Sequence, residues 1–274
     1  MKITSINIKD LFDPSRVAIL GQGFKDKCLT PDFICVQEIK IDTEDLQKRL
    51  KCISPNHVWF STLHPRGARG VAISISHTWS SRLTSTCEDR NHRWSVASIR
   101  FPNQFSVVSI YAPNGEAHRI YTWASLGSLS HNVLIYGDFN MVEFREDRWN
   151  NKGKIIDGRE KEIWDKIKLH LDLVEVKDTK GFSWSNLQSR DSLRKARLDR
   201  CYIDQNTILE WGIPSISQHM DLAISDHYPI TLSFKPIPTL QKALWFHAYQ
   251  TSFSLPSFCP PRNFHCVGGG LCLL

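Results

Sequence analysis

The chain has 274 residues, 41% of them hydrophobic and 23% charged, with a formal net charge of +6. That length suits one large α/β domain or two small ones, and that balance excludes a disordered chain. The mild basic excess tolerates a polyanionic partner without demanding one, and no stretch reaches the length of a membrane span.

Strand and helix signals then alternate along the chain. "KITSINI" alternates apolar and polar residues, with Ile3, Ile6 and Ile8 expected inside. It lacks a continuous apolar core and so reads as a strand, not a signal peptide. "DPSRVAILGQ" opens a helix, with Asp13 as N-cap and Pro14 in the first turn. "DFICVQE" is a buried strand ending in polar groups, and "DTEDLQKRL" a helix with acids early and bases late. "GVAISIS", "RWSVASIRF" and "FSVVSIYAP" are strands, the last two joined as a hairpin across Pro102-Asn103. A helix is expected around "IYTWASLGSL", then the buried strand "NVLIYGDFN". "GREKEIWDKIKLHLDL" is an amphipathic helix with Ile163, Ile167 and Leu171 on one face. "ARLDRCYID" and "YPITLSF" complete the strands.

After Lys235 the composition changes to Pro, aromatic residues and Cys, with no acid and no sustained periodicity. The expected division is a folded domain at 1–235 and a disordered or unrelated tail at 236–274. Cys259, His265, Cys266 and Cys272 in the tail do not have the spacing of a zinc site. The isolated Cys28, Cys35, Cys52, Cys87 and Cys201 form no CxxC pair and imply a reducing, intracellular compartment.

Polar residues collect at strand ends: Asn7, Gln37-Glu38, Gly137-Asp138-Phe139-Asn140 and Asp226-His227. Brought together, they offer carboxylates, carboxamides and an imidazole. Oxygen donors of that kind suit a hard cation, Mg²⁺ or Mn²⁺, and an imidazole beside it suits a phosphoryl oxygen. Each cluster alone also fits a turn, a cap or a solvated corner; their ordered co-occurrence carries the signal.

The series "CVQEIK", "IYAPN", "YGDFN", "FSWSN", "RLDRCYI" and "SDHYPI" resembles the endonuclease/exonuclease/phosphatase (DNase I-like) superfamily over about Met1 to Lys235. Within it the chain most resembles the apurinic-type endonuclease domain of LINE-type (non-LTR) retrotransposons. The resemblance implies an α/β four-layer sandwich, two mixed sheets face to face with helices outside. It implies a Mg²⁺-dependent phosphodiesterase that nicks DNA, monomeric, with no membrane partner and a nuclear location. The alternatives are a superfamily phosphatase acting on small phosphoesters and a decayed, inactive remnant that binds nucleic acid. The reverse transcriptase region expected downstream in a retroelement does not follow within these residues.

Residue by residue, the resemblance implies that Glu38, Asn7 and Asp226 hold the metal. Asp138, with Asn140 beside it, acts on the attacking water. His227 meets the scissile phosphate and is held by Asp199, and Tyr111 and Asn114 contact the phosphate. Arg66, Arg69, Arg194, Lys195 and Arg197, in loops or at strand starts beside the motifs, and Trp184 are expected to meet DNA. One departure stands out: "NIKDL" has Asp10 where the family favours glycine, which either disturbs the turn or adds a carboxylate to the site.

Overall fold

The computed structural model describes residues 1–235 apart from 42, 64–69, 101–102, 131, 150–152, 178–180, 188–192 and 223. The tail at 236–274 and the expected DNA contacts Arg66 and Arg69 therefore lie outside the described residues. Two six-stranded mixed sheets form the body. The first has the order β13-β14-β1-β2-β4-β3, where β1 is Lys2–Asn7, β2 Phe33–Gln37, β3 His57–Leu63, β4 Gly70–Ser76, β13 Ile213–Gln218 and β14 Ile230–Lys235. The second has the order β5-β6-β7-β8-β12-β9, with β5 Leu83–Glu88, β6 Trp94–Arg100, β7 Gln104–Tyr111, β8 Val133–Asp138, β9 Leu173–Val176 and β12 Asp199–Asp204. β10 (Trp184–Ser185) and β11 (Lys195–Ala196) form a small hairpin.

Ile3, Phe33, Cys35 and Ile73 of the first sheet meet Val107, Leu134, Tyr136 and Cys201 of the second in the central core. Helices α1 (Pro14–Asp26) and α2 (Thr43–Ile53) cover the outer face of the first sheet through Leu20, Phe24 and Leu50. Helices α4 (Glu116–Leu126) and α5 (Gly158–His170) cover the second through Trp123 and Trp164. Two smaller helices, α3 (His77–Ser80) and α6 (Gln205–Trp211), complete the set. The result is the expected four-layer sandwich.

β1 is buried on both faces, not on one. Its polar residues are satisfied inside: Thr4 bonds Thr231, and Ser5 bonds Gln37. At the start of α1 the Asp13 carboxylate accepts from Ser15 N at 2.8 Å, the cap its position predicts. Among the described residues, no helix is long and apolar enough to cross a membrane.

Strand direction decides where polar ends meet. β1 and β2 run parallel, and so do β7 and β8, so their C-terminal ends open at one end of their sheets. β12 runs antiparallel to β8, and β14 antiparallel to β1, so both begin at that same end. Asp199 is therefore in register with Asp138, and His227 lies just before β14.

Candidate active site

At this end a cleft of about 390 Å³ is lined by Glu38, Tyr111, Asn114, Asp138, Asn140, Trp184, Asp226 and His227, with Lys9 and Arg148. A larger cleft of about 760 Å³ lies at the other end of the first sheet, near Asp32, His57 and Ser76, and holds no such cluster.

Asp138 is fully buried. Its Oδ2 accepts from Asn7 Nδ2 at 2.8 Å and from Asn140 Nδ2 at 3.1 Å, and its Oδ1 accepts from Asn140 N at 2.8 Å. The bond from Asn7 crosses between the two sheets, as does the bond from Gln37 Nε2 to Ser109 Oγ at 3.2 Å. Phe139 locks this strand end from outside, with its ring stacked on Trp123 at 5.6 Å and its N bonded to Leu198 O. Gly137 is needed next door. Its φ is +151°, and a Cβ there would fall 2.1 Å from Ile110 O and 3.1 Å from Gln37 Nε2.

His227 Nδ1 bonds Asp199 Oδ2 at 2.8 Å, while Nε2 lies 3.9 Å from Asp138 Oδ2. Burial alone would lower the imidazole pKa, but Asp199 and then Asp138 overcome it and raise it to about 9. Burial raises the Asp138 carboxyl to about 7, with Asp199 adding to the shift and His227 opposing it. The imidazole therefore holds its proton more tightly than Asp138 and is cationic near neutral pH. Asp226 is held from two sides, accepting from Trp184 Nε1 at 3.1 Å and lying 3.6 Å from Lys9 Nζ.

Lys9, Glu38 and Asn140 have φ of 67°, 60° and 47°, which is uncommon for residues other than glycine. Each follows a strand end and lines the cleft, so the backbone strain, about 1 kcal/mol apiece, collects where the chemistry sits. Glu38 carries an ion pair from Lys40 and a hydrogen bond from Tyr111, whose hydroxyl is pushed up first by burial and then by the Glu38 charge.

The donor atoms of Asp138, Asp199 and His227 all lie within 4.8 Å of one another. Yet a protonated imidazole bonded to Asp199 has no lone pair for a metal. Glu38 and Asp226, together with the Asn7 amide oxygen, are hard oxygen donors that fit Mg²⁺ or Mn²⁺ better. Both acids are already neutralised by lysines, Lys40 and Lys9, which marks each as a place for positive charge.

Sequence reasoning gave most of the cleft, with two corrections. Arg197 does not face it: the guanidinium is buried and committed to Asp147, and to Glu175 at 3.1 Å. Asp10 adds no carboxylate to it either. Its Oδ1 accepts from Phe12 N at 3.2 Å and its Oδ2 pairs with Arg16 at 3.4 Å, while the left-handed position of the turn is Lys9. Arg16 in turn donates to Ile224 O, and Ser225 Oγ donates to Asn7 O at 2.6 Å, so the loop carrying Asp226 and His227 is tied to the end of β1. The sequence gives Lys9, Arg148 and Ser225 no role in the site, because single polar residues in loops carry no periodic signal.

Two facing mixed sheets thus carry a carboxylate-held imidazole at their shared strand ends. The model of the Endonuclease/Exonuclease/phosphatase family matches residues 11–227, most of the chain, and the chain belongs to that family. Among solved structures it is similar to the endonuclease domain of TRAS1, a telomere-specific non-LTR retrotransposon (TM-score 0.60, 13% identity, 85% of this chain and 97% of that one). It is also similar to the AP endonuclease LMAP from Leishmania major (0.66, 13%, 86% and 88%). A third is the 3'-5' exonuclease NExo from Neisseria meningitidis (0.63, 18%, 86% and 100%). No curated protein matches the chain.

Proposed function

We propose that the protein nicks DNA as a divalent-cation-dependent endonuclease of the retrotransposon type. The observation that carries this reading is the convergence of Glu38, Asp138, Asn140 and Asp226 on a His227–Asp199 pair in one open cleft. Asp138 takes a proton from the attacking water, and Asn140 fixes the orientation of its carboxylate. The cationic His227 donates from Nε2 to a phosphoryl oxygen, where negative charge grows during in-line displacement. Asp199 keeps Nδ1 protonated and the ring in place. Tyr111 and Asn114 contact the phosphate from the β7 side. Trp184 meets the DNA at the cleft edge.

Glu38, Asn7 and Asp226 would hold Mg²⁺ or Mn²⁺, which supplies charge neutralisation to the phosphoryl oxygens and the leaving alkoxide when bound. The set is complete, and Asp10 is engaged with Arg16 outside it, which weighs against a decayed remnant. The test is conversion of supercoiled plasmid to the nicked circle with Mg²⁺, with Mn²⁺ and with EDTA. Nicking only with a cation supports the reading; equal nicking in EDTA rejects the cation assignment, and no nicking in any arm rejects the activity.

A further inference from the structure

Arg148 lines the same cleft as Asp138 and His227. Its backbone bridges to Ala196 of β11, and its Nε donates to Lys154 O at 3.1 Å. Gly153 lies directly against the side chain: a Cβ there would come within 3.1–3.3 Å of Arg148 Cδ, Nε and Cζ, and its φ is +106°. The guanidinium is thus held in place before any ligand arrives. Arg16, Arg119, Arg197 and Arg200 each pair with a carboxylate. Among the described residues, Arg148 pairs with none. Ala196, the residue it bridges, follows the exposed Arg194 by two positions, so the β10–β11 hairpin carries a second guanidinium on the segment paired with Arg148. Burial and then Arg194 hold the Arg148 pKa below its ordinary value. Among the described residues no carboxylate pairs with either guanidinium; two such charges on bridged segments repel each other, and an anion between them relieves the repulsion.

We propose that Arg148 and Arg194 form a clamp for a DNA backbone phosphate flanking the one held at His227. This rests on the DNA-nicking reading and deepens it. A site that grips a flanking phosphate as well as the scissile one acts inside a strand. It gains nothing from that grip on a small phosphoester. The clamp therefore selects a polynucleotide over a small phosphoester among the substrates that the family's name allows.

The experiment measures binding of the full chain to a fluorescein-labelled DNA duplex by anisotropy, in EDTA, across a salt series. Arg148→Ala and Arg194→Ala are each expected to weaken binding about 10-fold, the loss of one charge-assisted contact. Each is expected to reduce the slope of log K against log salt by about 0.9, one phosphate's share. A neutral methylphosphonate is then placed at each linkage in turn. At the clamped position it should weaken the wild type but add little to the loss in R148A, because the two changes remove one interaction. Unchanged slopes in both variants, or additive losses at every linkage, overturn the clamp. Arg194 is exposed, so its variant keeps the test valid even if R148A folds poorly. Absent nicking alongside altered slopes rejects the enzymatic reading alone, and nicking alongside unaltered slopes rejects the clamp alone.

Discussion

At the residue scale the centre is one charged pair with a buried acid beside it. His227→Ala is expected to cut the nicking rate by at least ~10²-fold while DNA affinity changes little, since the contact acts in the transition state. Asp199→Asn should lose less, and the double variant should be little worse than H227A because the two residues act as one unit. Additive losses in that cycle would make Asp199 an independent structural residue. The pH profile gives a second reading of the same pair. In the proposed mechanism the active form has Asp138 ionised and His227 protonated. The rate should therefore rise through the Asp138 value, about 7 and lower once a cation is bound, and fall through that of His227, about 9. Removing the Asp199 charge takes away the main support of the imidazolium, so D199N should move the alkaline limb of kcat/KM to lower pH.

At the element scale, strands in the middle of a sheet were legible and strands at its margins were not. β1, β2, β4, β6, β7, β8, β12 and β14 all read directly as strands. The four that did not, β3, β5, β9 and β13, are the four edges of the two sheets. β5 is exposed along nearly all its length and β13 contains Pro214, so neither shows the clean alternation of a half-buried strand. The site was readable for the related reason that its acids stand at or beside the ends of central strands. Lys9 and Arg148 were not, because their place is set by loops. A test of a central strand end is Gly137→Ala. The added Cβ would meet Ile110 O at 2.1 Å, so β8 must shift from β7, with a loss of about 3 kcal/mol in a urea titration. Nicking should fall in step, because Asp138 is the next residue; an unaltered midpoint would show that the strand end yields freely. At the edge, His57 of β3 bonds Ser74 of β4 at 2.8 Å, and burial lowers its pKa to about 4. The unfolded chain binds a proton there at about pH 6.5, where the fold does not. This contribution is therefore complete above about pH 6.5 and is lost as the pH falls toward about 4, reaching about 3 kcal/mol. Denaturant titrations at the two ends of that window should show a steeper loss in wild type than in His57→Gln.

At the scale of the whole molecule, the active-site end is braced by a second charge system that does no chemistry. Asp147 accepts from Arg197 Nε at 3.1 Å and Arg200 Nη2 at 2.5 Å, and Glu175 of β9 accepts from Arg200 Nη1 at 2.6 Å. Arg197 N also bonds Asp147 O at 2.8 Å. These bonds tie the edge strand β9 and the turn at Asp147 to β12, the strand that presents Asp199. Burial alone would raise the Asp147 carboxyl, but Arg200 and Arg197 hold it below its usual value. Removing one member leaves the others buried and unmatched, which costs about 3 kcal/mol for a pair of this kind. Arg148, which lines the cleft, and Arg197, which does not, thus separate by partner: the first has no carboxylate among the described residues, the second has two. Arg197→Ala should lower Tm by roughly 6–12 °C, as that loss implies for a domain of this size. Its salt slope for DNA binding, measured below that Tm, should match wild type, in contrast to the reduced slope of R148A. A reduced slope in R197A, with little change in Tm, would return Arg197 to the DNA-contacting set and mark the ion-pair network as dispensable to the fold.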